Sequence, residues 1–190
     1  MSSLLRYEPK GDKNRSSITL DLFFTKAMSE EKIEPEQLTH LYSQPGHLLR
    51  RAHQIAASIF HDELGSQVTP IQYAVLRILK EHQGIDQVTL AGLVAIDTST
   101  AASVAIRLEE KGLLTRTIDP NNRRQRQLAL TALGLALLED AKDGIYRLEN
   151  RIFTGLTPDE AQQFMSLLQK MVDNNNALSR APLMRPKPAQ

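Results

Sequence analysis

The sequence predicts a mainly α-helical fold carrying one small β-hairpin, and three observations point to that class. Apolar residues recur at helical spacing along most of the chain between His47 and Met171. Thr69-Pro70 and Thr157-Pro158 each pair a capping side chain with proline at the first helical position, which marks a helix start. The third observation is a single hairpin signal, in which the β-prone runs LLTRTI and RRQRQLAL flank the turn-forming DPNN.

Taken in order, residues 1–17 are polar, with Pro9 and Gly11, and read as a flexible arm. Residues 18–33 mix apolar and acidic side chains and suit a short helix, and Pro35 and Pro45 frame a linker. From His47 to Glu63, Leu48, Ala52, Ile55 and Ile59 form a helical stripe that Leu49, Ala56 and Phe60 widen. A helix this apolar on one side must pack against something. A second helix is expected over 71–82, closed by Gly84. A shorter one runs from about Thr89 to Ala95, and Asp97 is placed to cap a third that reaches Lys111 and ends at Gly112. After the hairpin, Thr131 opens a helical pattern through about Phe153. Thr157 starts the last helix, with Phe164, Leu167, Leu168 and Met171 at helical spacing. The polar residues and prolines that follow suit a loose tail over 179–190.

Composition narrows the functional classes. A chain of 190 residues suits one core with extended ends. Its 23 basic and 22 acidic side chains nearly balance, so local charge says more about partners than the total. There is no cysteine, which removes disulfides, thiolate metal sites and thiol nucleophiles together. The opening residues carry no continuous apolar run, and no stretch approaches the roughly 18 apolar residues of a membrane span. A soluble, cytoplasmic protein is the expectation.

The stretch from Thr89 to Thr131 carries the functional argument. Two short helices joined by a tight connection, with a hairpin after the second, is the order of a winged helix-turn-helix. In the second helix, Ala101, Val104, Ala105 and Leu108 share a face suited to the core. The opposite face then presents Thr98, Ser99, Thr100, Ala102, Ser103 and Arg107. Small hydroxyl and methyl groups at a helix N-terminus approach base edges closely, and the same Ser and Thr residues also serve simply as caps. The hairpin weighs towards nucleic acid. Between Arg116 and Arg126 there are four arginines (Arg116, Arg123, Arg124, Arg126) against Asp119 alone. Arginine at a narrow hairpin tip reaches a minor groove or clamps phosphates.

The run DTSTAASVAIRLEEKGLLTRTIDPNNRRQRQLALT closely resembles the MarR family of bacterial transcription regulators. It has the recognition helix, the helix-ending Lys111-Gly112 pair and a wing reading Asn122-Arg123-Arg124, Leu128, Leu130-Thr131. TPIQYAVLRIL is similar to the family's Thr-x-x-Gln helix. The resemblance covers about 47–178 and implies a homodimer that binds pseudo-palindromic double-stranded DNA as a repressor. It divides the chain into an arm and linker over 1–45, dimerisation helices over 46–66 and 132–178, and a DNA-binding domain over 67–131. Arg124 is matched to the minor-groove arginine, with Arg123 and Arg126 on phosphates. Asn122 departs from the family pattern, which has a bracing aspartate there. Asparagine accepts a hydrogen bond but forms no charge-assisted one, so the wing is looser or Asp119 takes over the bracing.

A ligand site is also expected. His47 and Arg51 are four apart on one helix face, beside the apolar stripe. An arginine for a carboxylate and an imidazole for a ring hydroxyl or nitrogen suit a small aromatic carboxylate. A helix-start histidine and a surface arginine would show the same spacing. QPGHLLRRAHQIAASIF resembles the opening helix of the MarR subgroup that includes repressors of nicotinate and aromatic-acid catabolism. That resemblance implies an effector such as 6-hydroxynicotinate, contacted by His47, with Tyr73 on the opposite wall.

No other chemistry is expected. His61-Asp62-Glu63 places possible ligands together, but adjacent residues point around a helix rather than converging, so neither metal nor cofactor is expected. There is no phosphate loop and no nucleophile elbow, which argues against an enzyme. The competing reading is a winged-helix module for protein–protein contact, with no ligand response.

Overall fold

The computed structural model describes residues 40–119 and 122–184, excluding the side chains of 119 and 122–124. The chain divides into two compact units, Met1–Leu48 and Leu49–Gln190. The expectations for 1–39, including the short helix over 18–33, lie outside the described residues. Among the described residues of the first unit a 3-10 turn, Leu41–Ser43, leads into helix α1 (Pro45–Leu64). The Tyr42 ring packs edge-on to His47 at 5.7 Å.

The second unit continues with α2 (Pro70–Glu81), β1 (Ile85–Asp86), α3 (Gln87–Val94), α4 (Thr98–Glu110), β2 (Leu114–Asp119) and β3 (Asn122–Leu130). Helices α5 (Ala132–Asp140), α6 (Lys142–Ile152) and α7 (Pro158–Asn174) complete it. The strands form an antiparallel sheet of order β1-β3-β2, the mostly helical architecture with a small sheet that the periodicity predicts.

Local chemistry accounts for the helix starts. Thr69 and Gln72 form a reciprocal capping box with Pro70 behind it, and Thr157 and Glu160 repeat the arrangement at α7. Asp86 and Asp97 cap α3 and α4 through their carboxylates.

The core lies where α2, α3 and α4 meet the sheet. Val75, Leu76 and Leu79 of α2 are fully buried with Leu90, Ala105, Leu108 and Leu128. Each such leucine contributes on the order of 1.5–3 kcal/mol. The sheet closes on this core with Leu114 paired to Leu130 and Arg116 to Leu128.

Four features depart from the expected elements. The short first helix of the motif begins at Gln87, two residues before Thr89, because Asp86 supplies a cap there. β1 was not expected; it pairs Ile85 with Leu128, and the Gly84 N–H donates to the Leu128 carbonyl at 2.8 Å. The helical pattern expected to run unbroken from Thr131 to Phe153 is two helices that meet at Ala141. Its hydrogen bonds nevertheless continue across the junction, from Ala141 N–H to Leu137 and from Ile145 N–H to Ala141.

The fourth departure is the tail, whose described part is tied down. Asn176 exchanges two hydrogen bonds with the Leu183 backbone, at 3.0 and 2.8 Å, and the Met184 N–H donates to the Gly92 carbonyl of α3 at 2.8 Å. Gly92 leaves room for this strap, since a Cβ there would sit 2.9 Å from the Met184 sulfur. Residues 185–190 lie outside the described residues.

A charged cluster fixes the end of α1 on α6. Glu63 accepts from Arg147 and Arg151, each at 2.7 Å, and Arg151 also reaches Asp62 at 3.1 Å. These hydrogen bonds, from Arg151 first and then Arg147, hold the Glu63 carboxyl below its ordinary value near 4.5. A carboxylate whose folded pKa is depressed adds stability above its unfolded pKa and loses it as pH falls through the folded one. Thermal unfolding followed from pH 7 down through 4 should therefore show a falling Tm below about pH 4.5. Glu63→Gln should flatten part of that fall, and an unchanged slope would remove Glu63 from the account.

Candidate nucleic-acid interface

The chain bends by 105° between α3 and α4, within the range of about 90–120° of a helix-turn-helix. The turn is made at Ala95, whose backbone is left-handed at φ 58°. The Ile96 N–H donates to the Ala91 carbonyl at 3.0 Å and closes the end of α3. At the entrance, the Gln87 side-chain amide donates to the Thr98 carbonyl at 3.2 Å and ties the starts of the two helices together.

α4 divides into two faces. Ala101, Val104, Ala105 and Leu108 are buried, while Thr98, Ser99, Ser103 and Arg107 are exposed and Thr100 and Ala102 half-buried. Ile106 is also exposed, at 41%, and was not singled out from the sequence although its spacing from Ser99 and Ser103 places it on their stripe.

The N-terminal hydroxyls are organised by one carboxylate. Asp97 accepts the Thr100 N–H at 2.8 Å and the Thr100 hydroxyl at 2.6 Å, and it also accepts the Ser99 hydroxyl. Hydrogen bonds from the Ser99 and Thr100 side chains hold its pKa far below the usual carboxylate range. The Ser103 hydroxyl donates to the Ser99 carbonyl at 3.0 Å. Asp86 and Thr89 repeat this Asp-x-x-Thr arrangement at α3, where Asp86 also accepts from Gln125 of β3.

The far end of α4 is latched. Gly112, at φ 70°, ends the helix with its N–H on the Glu109 carbonyl and the Leu113 N–H on the Leu108 carbonyl, the paired bonds of a Schellman motif. The Lys111 ammonium donates to the Gln67 carbonyl and, at 3.2 Å, to the buried Gln72 side chain. The Thr131 hydroxyl donates to the Gly112 carbonyl at 2.6 Å. Thr69, Gln72, Lys111, Gly112 and Thr131, sequence signatures scattered between positions 69 and 131, thus converge on one joint behind the exposed helix.

The wing is braced rather than free at its base. Arg116, expected on DNA, places Nε and a terminal nitrogen 2.7 and 2.6 Å from Glu109 Oε2, and its side chain is only 17% exposed. Its guanidinium is engaged in fixing β2 to α4, a partnership that proximity in sequence did not reveal. Arg126 is exposed beside the same carboxylate. The side chains of Arg123, Arg124 and Asn122 lie outside the described residues.

Of the expected ligand residues, His47 falls in the first unit and is half-buried, and its Nε2 is shielded with no hydrogen-bond partner among the described residues. Arg51 is exposed in the second unit. Tyr73 is half-buried, its ring 5.9 Å from Phe60, and burial raises its hydroxyl pKa. A cleft of about 360 Å³ between the end of α1 and the α5–α6 junction is lined by other residues, among them Glu63, Val68, Leu137 and Gly144. No grouping of three metal-ligating side chains occurs among the described residues. None of the described helices is long and apolar enough by itself to cross a membrane.

A bent helix pair whose second member exposes a stripe of small polar side chains, backed by a braced hairpin, defines a winged helix-turn-helix protein of the DNA-binding type. The chain belongs to the MarR family, whose model matches residues 68–125. It is 32% identical over 133 residues to the HTH-type transcriptional repressor NicR of Pseudomonas putida, a match covering 70% of this chain and 84% of that protein. Among solved structures it is 36% identical to Bordetella bronchiseptica BpsR, whose DNA binding is regulated by 6-hydroxynicotinic acid. That similarity covers 70% of this chain and 96% of BpsR, with a TM-score of 0.66. The transcriptional repressor CouR bound to a 23-mer DNA duplex is 29% identical, over 71% of this chain and 96% of its own, with a TM-score of 0.65. Its relatives are transcriptional regulators, not enzymes.

Proposed function

We propose that this protein is a repressor that binds a pseudo-palindromic operator as a homodimer and leaves it when a small aromatic carboxylate binds. The observation that carries the DNA-reading part is the exposed N-terminal half of α4, held at one end by Asp97 and at the other by the Lys111 latch. In this reading Thr98, Ser99, Thr100, Ala102 and Ser103 face base edges, and Arg107 and Arg126 meet phosphates. Arg124 enters the minor groove, Arg123 meets phosphates like Arg126, and Arg116 acts through the wing brace instead of touching DNA. The DNA-bound relative CouR supports this over a protein–protein module.

Dimerisation is supported by apolar surface that a lone chain leaves in water. Phe164, Leu167, Met171 and Val172 of α7 are each at least 40% exposed, as are Ile55 of α1 and Tyr146 of α6. Phe164, Leu167 and Met171 recur at helical spacing and share one face of α7, and an exposed apolar face of this kind marks an interface. Two recognition helices about 34 Å apart would then fit successive major grooves.

The effector class rests on the similarity to NicR and BpsR and on the residue types at His47, Arg51 and Tyr73. The effector must bind the DNA-incompetent state more tightly than the competent one to act at all. The test is a gel shift on the DNA upstream of the protein's own gene, titrated with aromatic carboxylates including 6-hydroxynicotinate. Release of DNA by that acid, with loss of the response in His47→Ala and Arg51→Ala, is expected. Binding that no aromatic carboxylate disturbs would overturn the effector assignment while leaving DNA recognition standing. Arg124→Ala should weaken operator binding, and wild-type affinity should fall linearly with salt on logarithmic axes.

A further inference from the structure

We propose that the recognition helix reads exocyclic amino groups, N6 of adenine or N4 of cytosine, because the hydroxyls at its exposed end have lone pairs to offer DNA and no proton. The inference rests on α4 being the DNA-reading element and adds the polarity of its contacts.

A serine or threonine hydroxyl has one proton and two lone pairs. The direction of its hydrogen bond is fixed when the partner can only accept. Ser99 and Thr100 both point their hydroxyls at Asp97, an ionised carboxylate with no proton to give. Ser103 is bonded to the Ser99 carbonyl, which also only accepts. All three protons are therefore used inside the protein. What Ser99 and Ser103, both exposed, present outward is acceptor capacity.

In the major groove, the donors are the amino groups of adenine and cytosine, whereas guanine O6 and N7, adenine N7 and thymine O4 all accept. Lone pairs facing those acceptors would leave both sides unpaired, which costs more than a missing contact. Ile106 lies farther along the same stripe, exposed, with methyl groups suited to the C5-methyl of thymine. An A·T pair offers the amino group and that methyl together, so adenine is the amino-bearing base this stripe favours. Asp97 is then a positioning residue: it touches no base and sets the donor or acceptor character of the two side chains it holds.

The experiment selects a preferred duplex from random DNA with the full-length wild-type protein, then replaces its half-site bases singly with analogues. Purine in place of adenine, or 2-pyrimidinone in place of cytosine, removes the amino group; 7-deazaadenine removes the N7 acceptor and keeps the amine. Amine removal at one or more positions per half-site should weaken binding about fivefold or more, and that loss should vanish in Ser99→Ala or Ser103→Ala. The 7-deaza substitution should be neutral at the same positions. Asp97→Gly, a tolerated N-cap that removes the acceptor holding the Ser99 proton, should fold but admit guanine or thymine where Ser99 of the wild type selects an amino-bearing base. Sensitivity to 7-deazaadenine with indifference to amine removal, or indifference to both, would overturn the proposal. Failure to select any sequence would instead remove the DNA-reading role on which it rests.

Discussion

Gly134→Ala should cost about 3 kcal/mol or more, enough to unfold a large fraction of the protein at moderate temperature. In the middle of a helix this substitution ordinarily helps, by up to about 1 kcal/mol. Here a Cβ would lie 2.1 Å from the Leu113 carbonyl oxygen, well inside contact distance. That oxygen cannot yield cheaply, because it accepts the Thr131 N–H at 3.2 Å and lies at the joint where α4, the hairpin and α5 meet. The Gly134 N–H is itself held by the Thr131 hydroxyl at 3.0 Å, so the start of α5 cannot shift alone. The clash wins over the propensity gain. Two other glycines calibrate the comparison by urea unfolding. At Gly144 the nearest atom is the Glu63 carbonyl oxygen at 3.1 Å, and a smaller loss is expected. At Gly46 nothing lies within 4 Å, and Ala should be neutral or mildly stabilising. A loss at Gly134 no greater than that at Gly144 would contradict the close approach.

The second large effect is expected from Leu108→Ala, at about 3–5 kcal/mol. Leu108 is fully buried and packs with Leu76, Leu79, Leu90 and Leu128 at the seam between α4 and the rest of the core. Its carbonyl also receives the Leu113 N–H that ends α4. Removing its side chain leaves a cavity beneath the reading helix, so DNA affinity should fall with stability even under conditions where the protein remains folded. Ile106→Ala is the contrasting change on the opposite face of the same helix. Ile106 is 41% exposed, and its loss should barely move the denaturation midpoint while altering sequence preference. Equal stability losses for the two would mean that the faces of α4 are assigned wrongly.

What was legible in the sequence is what local chemistry decides. The starts of α2 and α7 were read from Thr-Pro pairs and that of α4 from Asp97, because a cap and the backbone groups it satisfies lie within three residues. The buried face of α4 follows from a 3.6-residue period and needs no knowledge of its partners. Asp86 carried the same signal, Asp-x-x-Thr, and comparing it with Asp97 and Thr100 would have placed the start of α3 correctly. Elements held by distant partners were not readable. β1 is two residues long and exists because Leu128 lies opposite Ile85. The strap depends on Met184 meeting Gly92, far away in the chain. Arg116 shows the limit within the site: its charge was counted correctly, but Glu109, seven residues earlier and on another element, decides what the charge does. A charge census cannot see which cations are already paired.

The central claim is that α4 and the wing read DNA as a symmetric pair. Hydroxyl-radical footprinting of the full-length protein on a duplex selected from random sequence tests this most directly. The account predicts two protected segments related by a two-fold axis, with centres about 10 base pairs apart and flanking minor-groove protection that weakens in Arg124→Ala. A single protected segment without symmetry, or a uniform footprint on every sequence offered, would contradict it.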